Sequence, residues 1–337
     1  MFPEPNFIDT GNVRIAVYEQ GEGRPVILLH GFPELAYSWR YQLPALAAAG
    51  YHAIAPDQRG YGRTGKPAGV AAYSIQALVG DVVAILDAKE FTQAVIVGHD
   101  WGALLAWQMA LLVPERMAGL VALNVPFLPR PPVDPIALMR TVLGDDFYIV
   151  NFQDSDAADR RCDRDPAWVF EVMMRRNSIT RERFNQLPKA MRSFSLLAAL
   201  ERDQPAGDTL LSAEDARVYA DAFEAGGFTP AINWYRNWTR NWDSTADLDQ
   251  TVRVPSLFIG AVDDVIISPE QIDAMTPFVP DLETHILENC GHWTQQEKPD
   301  DVNSLLIDWL DRRMQGLPPG QHKAHETGLR LNDPDAV

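Results

Sequence analysis

Unbroken apolar runs alternate along the chain with stretches whose apolar residues fall at every third or fourth position. Pro25-Val26-Ile27-Leu28-Leu29, Ala94 to Val97, Leu120 to Val125 and Val254 to Gly260 are runs of the first kind, as expected of parallel strands covered on both faces. In the second kind, Ser74 to Asp87 places Ile75, Leu78, Val79, Val82 and Leu86 on one helical face, and a helix opening at Pro299 turns Val302, Leu305, Leu306, Trp309 and Leu310 inward. Two short antiparallel strands meeting at Thr10-Gly11-Asn12 precede this pattern; a helix around Tyr41 to Ala49, a strand His52 to Ala55 and a late strand Thr284 to Leu287 complete it. The alternation predicts a parallel, doubly wound α/β sheet.

The pattern breaks once. Pro126, Pro129, Pro131, Pro132 and Pro135 crowd one short segment, and residues 136 to 245 then read as helical and aromatic-rich, with Trp168, Trp234, Trp238 and Trp242. An insertion between sheet strands at the edge where loops carry function predicts a helical lid. The expected organisation is a core over 1–127, a lid over 128–246, the rest of the core over 247–314 and a loose C-terminal extension over 315–337.

Gly98-His99-Asp100-Trp101-Gly102 joins the run Ala94–Val97 to a helix. Two glycines flanking one residue at this spacing mark a nucleophile elbow, a strand-to-helix turn too tight for larger neighbours. Serine is the common nucleophile there; here it is Asp100. A serine attacking saturated carbon would leave an ether that activated water does not cleave, whereas a carboxylate leaves an ester that it does. Asp100 therefore predicts an alkylating substrate, an epoxide or alkyl halide, with the helix N-terminus stabilising the anion. Phe32, in the loop His30-Gly31-Phe32-Pro33-Glu34, and Trp101 are the expected amide donors of an oxyanion hole. The glycines of Asp57-Gln58-Arg59-Gly60-Tyr61-Gly62 lack the lysine and following helix of a phosphate loop, so this segment reads as a turn held by Asp57 and Arg59.

Composition narrows the partners. Of 337 residues, 46 are acidic and 29 are lysine or arginine, a formal net charge of −17, which argues against nucleic acid and anionic membrane surfaces. The N-terminal residues lack the basic and apolar regions of a secretory signal, and no apolar run approaches membrane-spanning length, so a cytoplasmic protein without membrane insertion is expected. Cys162 and Cys290 lie in unrelated contexts and are not expected to pair. No metal-ligand spacing appears, and neither metal nor organic cofactor is expected. Oligomeric state is unreadable.

After Asp100 come an acidic turn, Asp263-Asp264, behind a late strand, and His292 on the last loop, in the chain order of this kind of site. His292 is the expected base and Asp264 its orienting acid, with Asp263 the other possibility; His99, inside the elbow, reads as a packing and hydrogen-bonding residue.

These residues carry a resemblance. His30 to Glu34, Asp57 to Gly62, Gly98 to Gly102, Asn233-Trp234-Tyr235-Arg236-Asn237 and Cys290-Gly291-His292-Trp293-Thr294-Gln295 are similar to the corresponding segments of α/β-hydrolase-fold epoxide hydrolases, in particular the catalytic domain of soluble epoxide hydrolases, over residues 5–313. The resemblance implies a vicinal-diol product, a hydroxyalkyl ester on Asp100, and two lid tyrosines that donate to the epoxide oxygen. Tyr235 matches one, and Tyr148, before Asn151-Phe152-Gln153, the other. Phe32, Trp101 and Trp293 are expected to line the pocket. The alternatives are a haloalkane dehalogenase on the same aspartate, and a non-catalytic hydrolase-fold binding protein.

Overall fold

The computed structural model describes residues 2–176, 179–188, 192 and 194–314; the tail expected to be loose, 315–337, lies outside the described residues. Among the described residues ten strands are formed: β1 (Asn6–Asp9), β2 (Arg14–Gln20), β3 (Arg24–Leu29), β4 (Tyr51–Pro56), β5 (Ala94–His99), β6 (Met117–Leu123), β7 (Arg175–Arg176), β8 (Asp208–Thr209), β9 (Ser256–Ala261) and β10 (Leu282–Leu287). Eight make one sheet in the order β1-β2-β4-β3-β5-β6-β9-β10. Its β1–β2 and β2–β4 pairings are antiparallel and all the others parallel.

The apolar runs become strands because both sheet faces are covered. On β3, Val26 and Leu28 face one buried cluster, with Leu43 and Leu46 of α1 (Gln42–Ala48) and with Val302, Leu306, Trp309 and Leu310 of the helix Pro299–Met314. Ile27 and Leu29 face the other, with Leu78, Val79 and Val82 of α2 (Ile75–Ala88) and Leu105 and Met109 of α3 (Trp101–Leu112). With helices on both sides, the two-residue alternation of a strand carries no polar member, and the run reads as continuous. Ser74 caps α2 by accepting from the Ala77 amide at 3.4 Å. The sixth strand spans Met117–Leu123, not Leu120–Val125, because Asn124 takes φ 66° and turns the chain out of the sheet.

Between β6 and β9 the chain leaves the sheet for a largely helical segment that begins with α4 (Pro135–Leu143) and α5 (Tyr148–Asp154) and ends with the helices Thr229–Arg236 and Trp238–Ser244. Its entry and exit are tied together: Trp242 Nε1 donates to Pro131 O at 2.9 Å, Arg130 N donates to Gln250 Oε1 at 3.0 Å, and the Arg130 guanidinium lies 4.1 Å from the Trp242 ring centroid. The antiparallel β7–β8 ribbon inside this segment was not expected; two strands of two residues are too short to leave an alternation. The segment sits on the core through Trp234 Nε1, which donates to Arg59 O at 3.0 Å, and through Tyr37 OH, which donates to Asp215 Oδ1 at 2.8 Å. Arg59 is itself paired with Asp81 of α2, and the Asp57 carboxylate accepts from the Ala36 and Arg63 amides, so the Asp57–Gly62 turn is braced from both sides. No helix among the described residues is long and apolar enough to cross a membrane, and Cys162 and Cys290 are both buried free thiols.

Candidate active site

Asp100 stands between the central strand β5 and α3 with φ 52° and ψ −118°, a conformation that costs a non-glycine residue about 1–3 kcal/mol and persists only where its surroundings enforce it. They do so here. A Cβ at Gly98 would collide with the Gly102 carbonyl, one at Gly102 with the Leu29 carbonyl, and one at Gly31 with the Asp100 side chain. The elbow glycines are thus required by close approach of backbone to backbone, and the strain presents the Asp100 carboxylate clear of the sheet edge.

The Phe32 amide donates to Asp100 Oδ1 at 2.8 Å, and the Trp101 amide, at the first position of α3, is a second donor. On the opposite side His292 Nε2 lies 3.7 Å from Asp100 Oδ2. His292 Nδ1 meets Asp264 Oδ2 at 2.9 Å. That carboxylate is further held by Asn124 Nδ2 at 2.7 Å and the Ile266 amide at 3.2 Å. Asp263 has no bond to the imidazole and accepts from the Arg181 amide at 2.9 Å. Of the two acids left open by the sequence, Asp264 is the one that reaches the imidazole.

Electrostatics follow from burial and pairing. Burial works against a charged His292, but Asp264, then Asp100 and Glu34, outweigh it and push the imidazole up to about 9. Burial raises the Asp100 carboxyl, while His292, His99 and the two amides act in the opposite direction. Burial also raises both lid phenols, with the Asp100 charge adding to the effect, so Tyr148 and Tyr235 stay protonated.

Tyr148 opens α5 and Tyr235 lies in the helix Thr229–Arg236, their ring centroids 5.7 Å apart. Two side chains cross between these helices: Gln153 Nε2 donates to the carbonyls of Ile149 and Tyr235 at 2.8 and 3.0 Å, and Arg236 Nε donates to Phe152 O at 2.9 Å. Tyr235 packs edge to face on Phe32 and Trp101 at 5.2 and 5.1 Å. A cavity of about 270 Å³ brings together Asp100, His292, Asp264, Tyr148, Tyr235, Phe32 and Trp293; the rest of its wall is mostly apolar, including Met173, Phe194, Leu196 and Val265. Trp101 is not among the residues lining that cavity; it lines a second cavity of about 290 Å³, its ring packs on Tyr235 at 5.1 Å, and its amide faces Asp100.

Three supporting residues were not singled out in the sequence. Glu34, fully buried, accepts from the Gly31 amide at 3.1 Å, from Gln295 and Gln296 at 3.0 and 2.9 Å, and from His99 Nδ1 at 2.7 Å. Burial opposes its ionisation, yet His99 and the Gly31 amide hold it down to about 2. His99 Nε2 faces the His292 carbonyl at 2.7 Å. A carboxylate at one nitrogen and a carbonyl at the other hold the His99 ring from both sides. Asn124 is the second and Glu297 the third; the only sequence signal for Glu34 was its place in the loop after β3. Among the described residues, no group of three or more His, Cys, Asp or Glu is placed to hold a metal ion.

The chain matches the family described as alpha/beta hydrolase fold over residues 24–299. It is 43% identical to epoxide hydrolase A of Mycobacterium tuberculosis (strain ATCC 25618 / H37Rv), over 91% of this chain and 97% of that one. It is 36% identical to the bifunctional epoxide hydrolase 2 of Mus musculus, over 90% of this chain and 54% of that protein, so it spans about half the length of that relative. The crystal structure of epoxide hydrolase A from Mycobacterium thermoresistibile aligns with a TM-score of 0.83 at 37% identity, covering 92% of this chain and 98% of that one.

Proposed function

From the premise that this chain belongs to the epoxide hydrolases of the α/β-hydrolase fold, we propose how its own residues turn an epoxide and water into a vicinal diol. Tyr148 and Tyr235 donate to the epoxide oxygen while an Asp100 oxygen attacks a ring carbon, breaking that C–O bond. One phenol proton passes to the departing alkoxide, leaving a hydroxyalkyl ester on Asp100. His292, oriented by Asp264, then takes a proton from water as the water attacks the ester carbonyl. The amides of Phe32 and Trp101 hold the resulting oxyanion; its collapse expels the diol as an alkoxide, and the protons carried by His292 and by the regenerated Asp100 carboxyl pass to that alkoxide and back to the phenolate, restoring the enzyme. The observation that carries this reading is the convergence of a strained elbow carboxylate and two phenols on one cavity.

The helical segment 128–246 acts as the lid that supplies the two phenols. The apolar wall favours a neutral epoxide with an apolar arm as substrate. Turnover of styrene oxide beside a 1-haloalkane tests the assignment: diol from the epoxide is expected, and halide release without diol would transfer the same nucleophile to dehalogenation.

Two further outcomes follow from the geometry. Asp264→Asn, which removes the anion that fixes the His292 tautomer, slows ester hydrolysis by about 10⁴. Asp263→Asn weakens one bond to the lid by about 1 kcal/mol and leaves that rate within a few-fold. Single-turnover rates of ester breakdown decide between the two acids.

The second concerns pH. In the free enzyme Asp100 is one of the charges holding His292 up to about 9. Esterification neutralises Asp100, removes that support, and lets the imidazole lose its proton when a base is needed. A raised pKa means charge, and hence no base, below it. The acid limb of ester hydrolysis is therefore expected at lower pH than the His292 titration in the free enzyme, checked by stopped-flow rates against an NMR titration.

A further inference from the structure

His292 sits in the loop Cys290–Trp293 between β10 and the short helix Thr294–Glu297. The polar backbone groups around it are pinned individually. Glu297 Oε2 accepts from the Gly291 amide and Oε1 from the Trp293 amide, each at 3.0 Å, so one carboxylate straddles residue 292. The Gly291 carbonyl accepts from Thr294 Oγ1 at 3.1 Å and Asn124 Nδ2 at 3.3 Å, and the His292 carbonyl from His99 Nε2 at 2.7 Å. The absence of a side chain at Gly291 matters here, because a Cβ would stand 3.1 Å from Glu297 Oε1. Glu297 has no hydrogen bond to Asp100 or the phenols; among the described residues its hydrogen bonds go to the loop of the base, with the Arg176 cation nearby.

We propose that Glu297 is a positioning residue for the hydrolytic half of the reaction, setting His292 through the amides on either side of it. The inference rests on the assignment of His292 as the base. Among the described residues the imidazole is hydrogen-bonded once, to Asp264 at 2.9 Å, and its working nitrogen stands 3.7 Å from Asp100. The ring also packs on Trp293 and His99 at 4.9 and 5.0 Å, so its aim at the attacking water follows the backbone of residues 292 and 293 that carries it and its neighbour. A misplacement of about 1 Å is enough to cost about 10² in rate. Ester formation uses Asp100, the phenols and the amides of Phe32 and Trp101, and Glu297 holds none of them.

The test separates the two steps by quench-flow with styrene oxide, following the mass of the intact protein, for wild type, Glu297→Gln, Gly291→Ala and His292→Gln. Glu297→Gln replaces one accepting oxygen by an NH₂ that opposes an amide donor. Ester hydrolysis is expected to fall by about tenfold to a hundredfold, alkylation to stay within about twofold, and the ester to accumulate during turnover. Gly291→Ala, which crowds the same carboxylate, is expected to give the same split and serves if Glu297→Gln does not fold. A proportional loss of both rate constants, as a general loosening of the structure would produce, overturns the proposal, as does unchanged hydrolysis. Failure of His292→Gln to trap ester would instead remove the base assignment on which it stands.

Discussion

Replacing His292 by glutamine is expected to reduce steady-state diol formation by about 10⁴, while the enzyme still consumes about one equivalent of epoxide. The base acts only after the ester exists. His292 Nε2 is the group beside Asp100 on the water-attack side, and no other imidazole among the described residues takes its place: His99 is fully buried, its two nitrogens committed to Glu34 and the His292 carbonyl. Glutamine fills much of the same volume and keeps a hydrogen-bond donor for Asp264, so the loop is retained while proton abstraction is lost. Intact-protein mass spectrometry after mixing should record an adduct of substrate mass, and peptide mapping should place it on Asp100. Asp100→Ala in the same experiment should give neither adduct nor diol. An adduct on another residue, or diol formation at the wild-type rate, would refute the assignment.

The second large effect falls on the other half of the reaction. Tyr148→Phe together with Tyr235→Phe is expected to slow alkylation by about 10⁴, and either change alone by about 10². Opening the epoxide generates an alkoxide beside a mostly apolar wall, where these two phenols are the proton donors that face it. Burial and the Asp100 charge hold both phenols above their ordinary range; they are protonated when the epoxide arrives, and the alkoxide is still the stronger base. Phenylalanine preserves the ring packing of Tyr235 on Phe32, Trp101 and Phe152, so thermal unfolding should move little. Combining both changes with His292→Gln should abolish rapid adduct formation. A double variant that alkylates at the wild-type rate would show that the ring opens without these donors.

What the chain alone determined is local and repetitive. Continuous apolar strands such as Val95–Val97, the period of the α2 face and the proline cluster at 126–135 are set by residue type and spacing, so sheet class, strand sequence and the existence of an insertion were all readable. So was the elbow, because Gly98 and Gly102 are demanded by a turn whose carbonyls approach where a Cβ would stand. Tertiary structure decided everything that depends on which way a side chain faces after distant segments meet. Asp263 and Asp264 are neighbours with the same chemistry; only the placement of Arg181 beside one and of Asn124 and His292 beside the other separates them. Trp101 follows the nucleophile in sequence, yet it lines a second cavity, with its ring packed on Tyr235, while Asp100 lines the first. Glu34 and Glu297 are ordinary acidic residues until folding buries one against His99 and closes the other around the amides flanking His292. Periodicity reports the faces of elements, whereas a hydrogen bond between residues 65 positions apart is fixed only when the sheet brings their loops to one edge.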